Sequence, residues 1–247
     1  MEKYVREKAV ESREGRADRP RGGLILSGGP DSALAANIAV TTHPEIDWQA
    51  FHFSYGQRAL PEFKCASQQT RRLELHLNII TLPDGILTST MTQRGEDRAH
   101  ESLEPTFVPG RNDIFISMVA ARLYHRGMDI HIVGGWNEED ASGYPDCREA
   151  YMDSKAEALA LALDCTVLIH SPVIRMRKSD IISGLRLFNI DPATTWSCYT
   201  PLFIQEGDVG KPATGKWEPC NECASCKLRA KGFKEAGLTD PLTHITS

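Results

Sequence analysis

The 247-residue chain predicts an α/β fold: a Rossmann-like, five-stranded parallel sheet with helices on both faces, followed by a zinc-binding C-terminal tail. The sheet is predicted by short apolar runs that alternate with longer stretches of helical periodicity. Such alternation implies parallel strands covered on both faces. The tail is predicted by a change of character beyond residue 190, where the strand pattern ends and three cysteines crowd into seven residues. The chain divides accordingly into a charged extension (1–21), an α/β domain (22–190) and a cysteine-bearing region (191–247).

Taken in order, GLILS (23–27) is the first strand, and it runs through a glycine-bearing loop into the helical DSALAANIAVTT. WQAFHFS (48–54) is the second, followed by helical spacing over PEFKCASQQTRRLELHL (61–77). NIITL (78–82), DIHIVGG (129–135) and CTVLIHS (165–171) supply three more strands, with helices expected over 112–126, 147–163 and 178–188. Sheets of this kind bind ligands at the carboxyl ends of their strands. The loops FSYGQR (53–58), FVPGRND (107–113) and NEEDASGYPDCR (137–148) bring polar groups to that edge.

A hydrophobic content of 41% fills a core in a chain of this length, and a net charge of -5 argues against a protein built to coat nucleic acid. The N-terminus is dense in charge and has no signal-peptide h-region. No apolar stretch approaches the roughly 20 residues of a membrane span. Seven cysteines, an odd number without an export signal, favour reduced thiols and a cytoplasmic protein. Residues 1–21 read as a frayed tail or a solvated helix.

The stretch LILSGGPDS (24–32) ends a strand on a bare loop. It lacks the lysine of the G-x4-G-K-[ST] phosphate loop and the spacing of G-x-G-x-x-G. What remains is S-G-G-x-D-S. Its glycines let backbone N–H groups approach an anion at a helix N-terminus. Ser27 and Ser32 offer hydroxyls, and Asp31 is available to Mg2+. The alternative is an ordinary turn in which Asp31 or Ser32 caps the helix.

Cys198 together with Cys220-x2-Cys223-x2-Cys226 supplies four thiolates, the number that tetrahedral Zn2+ takes. A filled sphere leaves no place for water, which points to a structural site. A redox pair and a nucleic-acid-binding zinc ribbon are the weaker readings. Cys65, Cys147 and Cys165 lie within patterned segments and are expected as small buried hydrophobes.

SGGPDS resembles the pyrophosphate loop of the PP-loop ATP pyrophosphatases, whose fold is that of the adenine nucleotide alpha-hydrolases. FSYGQR, FVPGRND, SGYPDCR and the tail cysteines extend the resemblance, over about residues 23–233, to the 7-cyano-7-deazaguanine synthases of queuosine precursor biosynthesis. The resemblance implies ATP use, with a nucleotide loop of Leu26, Ser27, Gly28, Gly29, Pro30, Asp31, Ser32, Ala33, Leu34, Ala35 and Ala36. It also implies a 7-carboxy-7-deazaguanine acid, activated as an acyl-adenylate, aminated by ammonia to the amide and dehydrated to the nitrile. A homodimer is implied as well.

On that resemblance Asp31, Ser32, Lys178 and Arg111 are the catalytic candidates. Lys178 either assists the leaving pyrophosphate or is a solvated helix-start lysine. Arg111 either meets phosphate or substrate carboxylate or lies on the surface. Asp140, and after it Asp146, match the N–H edge of a guanine-like base or else cap turns. Ser142 belongs to the same base-binding group. Tyr144 stacks on the base or packs, and Arg148 reaches a phosphate or pairs with Glu149.

Four departures from the family pattern stand out. Ser54 replaces an acid in the segment usually read DYGQR, and Ala59 stands where histidine is common. Trp136 adds bulk before the base-binding loop, and 21 residues separate Cys198 from Cys220. They leave ATP use untouched and raise the alternative of a relative that stops at the amide or delivers the activated acid to another amine, for example on a protein.

Overall fold

The computed structural model describes residues 19–57, 59–89, 91–92, 106–206 and 214–242, so most of the charged extension lies outside the described residues. Five parallel strands, β1 (Arg21–Ile25), β2 (Asp47–Ser54), β3 (Leu77–Thr81), β4 (Ile130–Val133) and β5 (Val167–His170), stand in the order β3-β2-β1-β4-β5. The chain winds outward one way from β1 through β2 to β3. It then returns to β1 and winds the other way through β4 to β5. The carboxyl ends of β1 and β4 therefore flank a crevice where a ligand fits.

The helices are α1 (Pro30–Thr42), α2 (Pro61–Arg72), α3 (Arg111–Leu123), α4 (Glu138–Gly143), α5 (Glu149–Leu163), α6 (Lys178–Leu187) and α7 (Ala224–Glu235). Alternation along the strands sends Phe51 and Phe53 to one face of the sheet, where they meet Val119 and Ile116 of α3 and Met152 of α5. Leu24, Ala50 and Val133 point to the other face, against Leu34 of α1, Ala66 of α2 and Ile181 of α6. Both faces are thus covered, as the near-continuous apolar strands require. Two glycines set the spacing. A Cβ on Gly23 would lie 2.4 Å from Val119, and one on Gly184 would lie 2.6 Å from Leu34, so α3 seats directly on β1 and α6 on α1.

Three expectations need correction. The helix expected to run through residue 77 stops at Arg72, because Glu74 turns left-handed (φ 55°) and Leu77 enters β3. The expected loop at 137–148 contains the short helix α4, started by a reciprocal cap between Asn137 and Asp140. The tail, read as free of strands, contains an antiparallel hairpin of β6 (Leu202–Glu206) and β7 (Thr214–Glu218). Its connection, 207–213, lies outside the described residues.

The tail is held by a buried ion pair. Arg229 of α7 donates to Asp240 at 2.7 and 3.0 Å, to the Thr195 hydroxyl at 2.9 Å and to the Pro192 carbonyl at 3.1 Å. Gly232 lies so close to α6 that a Cβ would meet Lys178 Cγ at 2.5 Å. The tail and the sheet domain are one packed body at this point. Among the described residues no helix is long and apolar enough to cross a membrane.

Candidate active site

The site begins where β1 ends. Gly28 has φ +94°, a left-handed conformation, and a Cβ there would meet the Glu62 carbonyl oxygen at 2.3 Å. Only glycine fits. The Gly28 carbonyl accepts from Trp196 N at 2.9 Å and from Gln69 Nε2 at 3.0 Å, so α2 and the tail clamp the loop from behind. Gly29 N donates to Ser27 Oγ at 3.2 Å, and the Ser27 and Ser32 hydroxyls lie 3.1 Å apart.

Helix α1 starts at Pro30, with Gly29 as its N-cap and no side-chain cap. Proline suits the first helical position because its missing N–H has no partner there in any case. Neither Asp31 nor Ser32 acts as the cap. Asp31 instead accepts from Lys178 Nζ with both oxygens, at 2.6 and 2.7 Å, and from Asn137 Nδ2 at 3.1 Å. The Lys178 side chain is 9% exposed, so it is a buried, paired cation rather than a solvated one.

The segment after β4 closes the other side. A Cβ on Gly135 would lie 2.3 Å from Ser32 N, and the Trp136 ring folds back over Gly134. Asn137 Oδ1 accepts from Asp140 N at 3.1 Å, while Asp140 Oδ2 accepts from Asn137 N at 3.2 Å. Asp140 faces the cleft with its carboxyl pushed up to about 6 by burial, and by the Asp31 charge, against the pull of Lys178. Glu139 Oε1 accepts from Lys178 N at 3.0 Å and so fixes the start of α6.

A third group comes from β2 and α3. Arg111, the first residue of α3, faces Tyr55, with Glu62 of α2 beside it. Burial pushes the Glu62 carboxyl up to about 8, against the opposing pull of Arg111 and a hydrogen bond with Gln57. Tyr144 holds the rim: its hydroxyl lies 2.5 Å from that of Thr106, bonds Tyr199 of the tail, and its ring tilts against Phe107.

Together these groups enclose a cleft of about 200 Å³ at the switch point. Of the residues singled out from sequence, Leu26, Ser27, Gly29, Pro30, Asp31, Ser32, Arg111, Asp140, Tyr144 and Lys178 line it. Ala33, Leu34, Ala35 and Ala36 do not, because they face the core of α1. Ser142 is exposed, and its hydroxyl donates to the Glu139 carbonyl. Asp146 turns away to accept from Asn112 N at 3.2 Å. Arg148 is exposed and donates to the Ala141 carbonyl, while Glu149 pairs with Arg175. Glu62, Asn137 and Tyr199 belong to the site although sequence reasoning passed over them. A glutamate in the first turn of a helix reads as a surface residue, and nothing in the pattern marks it otherwise.

Cys198, Cys220, Cys223 and Cys226 converge, with their sulfur atoms all within 4.8 Å of one another. The 21 residues between the first two are bridged by the hairpin, whose pairing of Leu202 with Glu218 returns the chain to its starting point. Backbone N–H groups donate to sulfur, Cys220 N to Cys198 at 3.2 Å and Cys223 N to Cys220 at 3.4 Å. Hydrogen bonds from Cys198 and Cys226 hold the Cys223 thiol well below the usual range. Four converging sulfurs with supporting donors fit a tetrahedral thiophilic metal. Trp196 and Tyr199, on either side of Cys198, face the cleft, so the cysteine site and the cleft share a wall. Ala59 is buried in that wall against Cys198 and Cys226, and Cys65 and Cys147 are buried as expected while Cys165 is only partly so.

A switch-point cleft headed by S-G-G-x-D-S at a helix N-terminus defines the chain as a PP-loop protein. The family model for queuosine biosynthesis protein QueC matches residues 23–237, and the chain belongs to that family. A 7-cyano-7-deazaguanine synthase from Chromobacterium violaceum is 35% identical over 228 residues, 89% of this chain and 91% of that one. Its namesake from Thermoplasma volcanium is 34% identical over 233 residues, 90% of this chain and 89% of that one. An NH3-dependent NAD synthetase structure from Campylobacter jejuni overlays at TM-score 0.39 and 17% identity, on 74% of this chain and 70% of that one, too loosely to add to the argument. Family membership makes the chain an enzyme, an ATP-dependent ligase of queuosine biosynthesis.

Proposed function

We propose that the cleft converts 7-carboxy-7-deazaguanine and ammonia to 7-cyano-7-deazaguanine with ATP, through an acyl-adenylate and then the amide. The observation that carries the reading is the meeting of Asp31, Lys178 and the glycine loop in one cleft that also presents Asp140 and Arg111. The loop with Lys178 suits polyphosphate, and Asp140 with Arg111 suits a purine-like acid.

A carboxylate is a poor electrophile, so it is first joined to the α-phosphate of ATP as pyrophosphate leaves. N–H groups of the loop and of the first turn of α1 receive the phosphates. Asp31 would hold Mg2+, and Lys178, which pairs with it, would neutralise the departing pyrophosphate. The Asp140 carboxylate accepts the N1–H and N2–H pair of the base, while Arg111 orients the acid. Ammonia displaces AMP to give the amide. Activation of the amide oxygen in the same way then allows its loss, as AMP, to leave the nitrile. Most of the protein's contribution is positioning and charge stabilisation. The four cysteines would hold Zn2+, which would brace the shared wall and supply no chemistry to the reacting atoms.

Mass spectrometry of purified protein incubated with Mg2+, ATP, ammonium and the carboxy-deazaguanine tests the reading. The nitrile is the expected product. An amide as sole end product, or product only with an added protein, supports the relative that serves another acceptor, and no ATP-dependent product overturns the reading.

A further inference from the structure

Among the described residues that line the cleft, Glu62 is the one carboxyl group to which the reaction above gives no task. It sits in the first turn of α2, after Pro61, with its backbone pressed against Gly28 of the nucleotide loop. Its side chain lines the cleft between that loop and Arg111. Gln57 holds it by a hydrogen bond and is itself fixed, since its amide donates to the Phe53 carbonyl at 2.9 Å and accepts from Tyr55 N at 2.8 Å. A carboxyl oriented by a locked amide, beside the loop that receives the phosphates, is placed to receive a proton.

We propose that Glu62 is the general base of the amination step: its carboxylate binds the incoming ammonia and takes the proton released as the C–N bond forms. This rests on the proposed acyl-adenylate chemistry. The nitrogen lone pair adds to the acyl carbon, the bond from that carbon to the phosphate oxygen breaks, and AMP departs with the electron pair. One N–H proton passes to Glu62, which becomes the neutral acid and returns the proton to water. Amide, AMP and one proton balance acyl-adenylate and ammonia.

The electrostatics agree with the role. Arg111 from α3, Tyr55 from the end of β2 and Cys65 from its own helix face Glu62, and burial outweighs the pull of Arg111 and of the Gln57 hydrogen bond to raise the carboxyl to about 8. A base is most effective when its pKa lies near the working pH. A neutral Glu62 also does not repel the triphosphate on entry.

Hydroxylamine separates the steps, because it is the stronger nucleophile and its adduct loses its proton to water far more readily than that of ammonia, so it traps acyl-adenylates as hydroxamates without a base. In Glu62→Gln, hydroxamate formation should stay within about threefold of wild type while amide formation from ammonium falls about 10²-fold. Glu62→Asp, which keeps a carboxylate, should recover part of the amide rate. At fixed free ammonia, the wild-type amide rate should rise with pH through about 8. Equal loss of hydroxamate and amide in Glu62→Gln, no loss of either, or a flat wild-type profile overturns the assignment. Wild-type protein that forms no hydroxamate at all instead overturns the underlying adenylation.

Discussion

Lys178 Nζ grips both carboxylate oxygens of Asp31, at 2.6 and 2.7 Å, across 147 residues of sequence. The pair spans the crevice between β1 and the region after β5, and it joins the nucleotide loop to the start of α6. Because both side chains are largely buried, the pair fixes each partner before any ligand arrives.

Breaking it should be costly in two ways. Asp31→Ala should lower stability by about 3 kcal/mol, the usual consequence of stranding a buried cation. Pyrophosphate release should fall by about 10²-fold or more. Urea unfolding and a pyrophosphate assay on the same preparation read both effects.

Gly135→Ala places a Cβ 2.3 Å from Ser32 N and must push the start of α1 away from β4. We expect pyrophosphate release to be lost while stability drops by only about 1–3 kcal/mol, the usual range for overpacking. A folded variant with full activity would show that the loop tolerates displacement.

Asp140 separates stability from function. Its carboxyl is raised to about 6 in the folded protein, so the folded state favours the protonated form. Ionisation therefore removes stability as pH rises from the ordinary carboxylate value through about 6. Asp140→Asn should melt higher than wild type at pH 8 and equal to it at acid pH, yet bind the carboxy-deazaguanine poorly. Wild-type affinity should fall below about pH 6, where the carboxylate protonates. Thermal melts and calorimetric titrations at both pH values check the signs.

The cysteine cluster predicts about one zinc per chain by metal analysis. Cys226→Ser should lose the metal and lower Tm by roughly 5–10 °C, as loss of a few kcal/mol does in a domain of this size. Substrate affinity should weaken with it, because Trp196 and Tyr199 share that wall. A fully folded protein without bound metal would remove the site.

Much of this was readable from sequence where the determinants are local. The alternation of apolar runs marks the five parallel strands because each is buried on both faces, and Gly28 and Gly29 mark the loop because few other residues allow so close a backbone approach. The four cysteines were legible through spacing even across a long insert. The hairpin was not, because Leu202, Phe203 and Ile204 form a short exposed ribbon with no inward–outward alternation to read. Asp146 and Asp140 look alike in sequence. Only the fold turns one to the N-terminus of α3 and the other to the cleft. Glu62 acquires its role wholly from tertiary neighbours, and Asn137, a local cap for α4, is brought to Asp31 only by the fold.

The central claim is that this cleft transfers the substrate's own carboxylate oxygens to AMP. Carboxy-deazaguanine labelled with oxygen-18 in both carboxyl positions, turned over with ATP and ammonium, tests it most directly. AMP should carry a single labelled oxygen, with both labels released by the time the nitrile forms. Unlabelled AMP, or ADP and phosphate in its place, would contradict it.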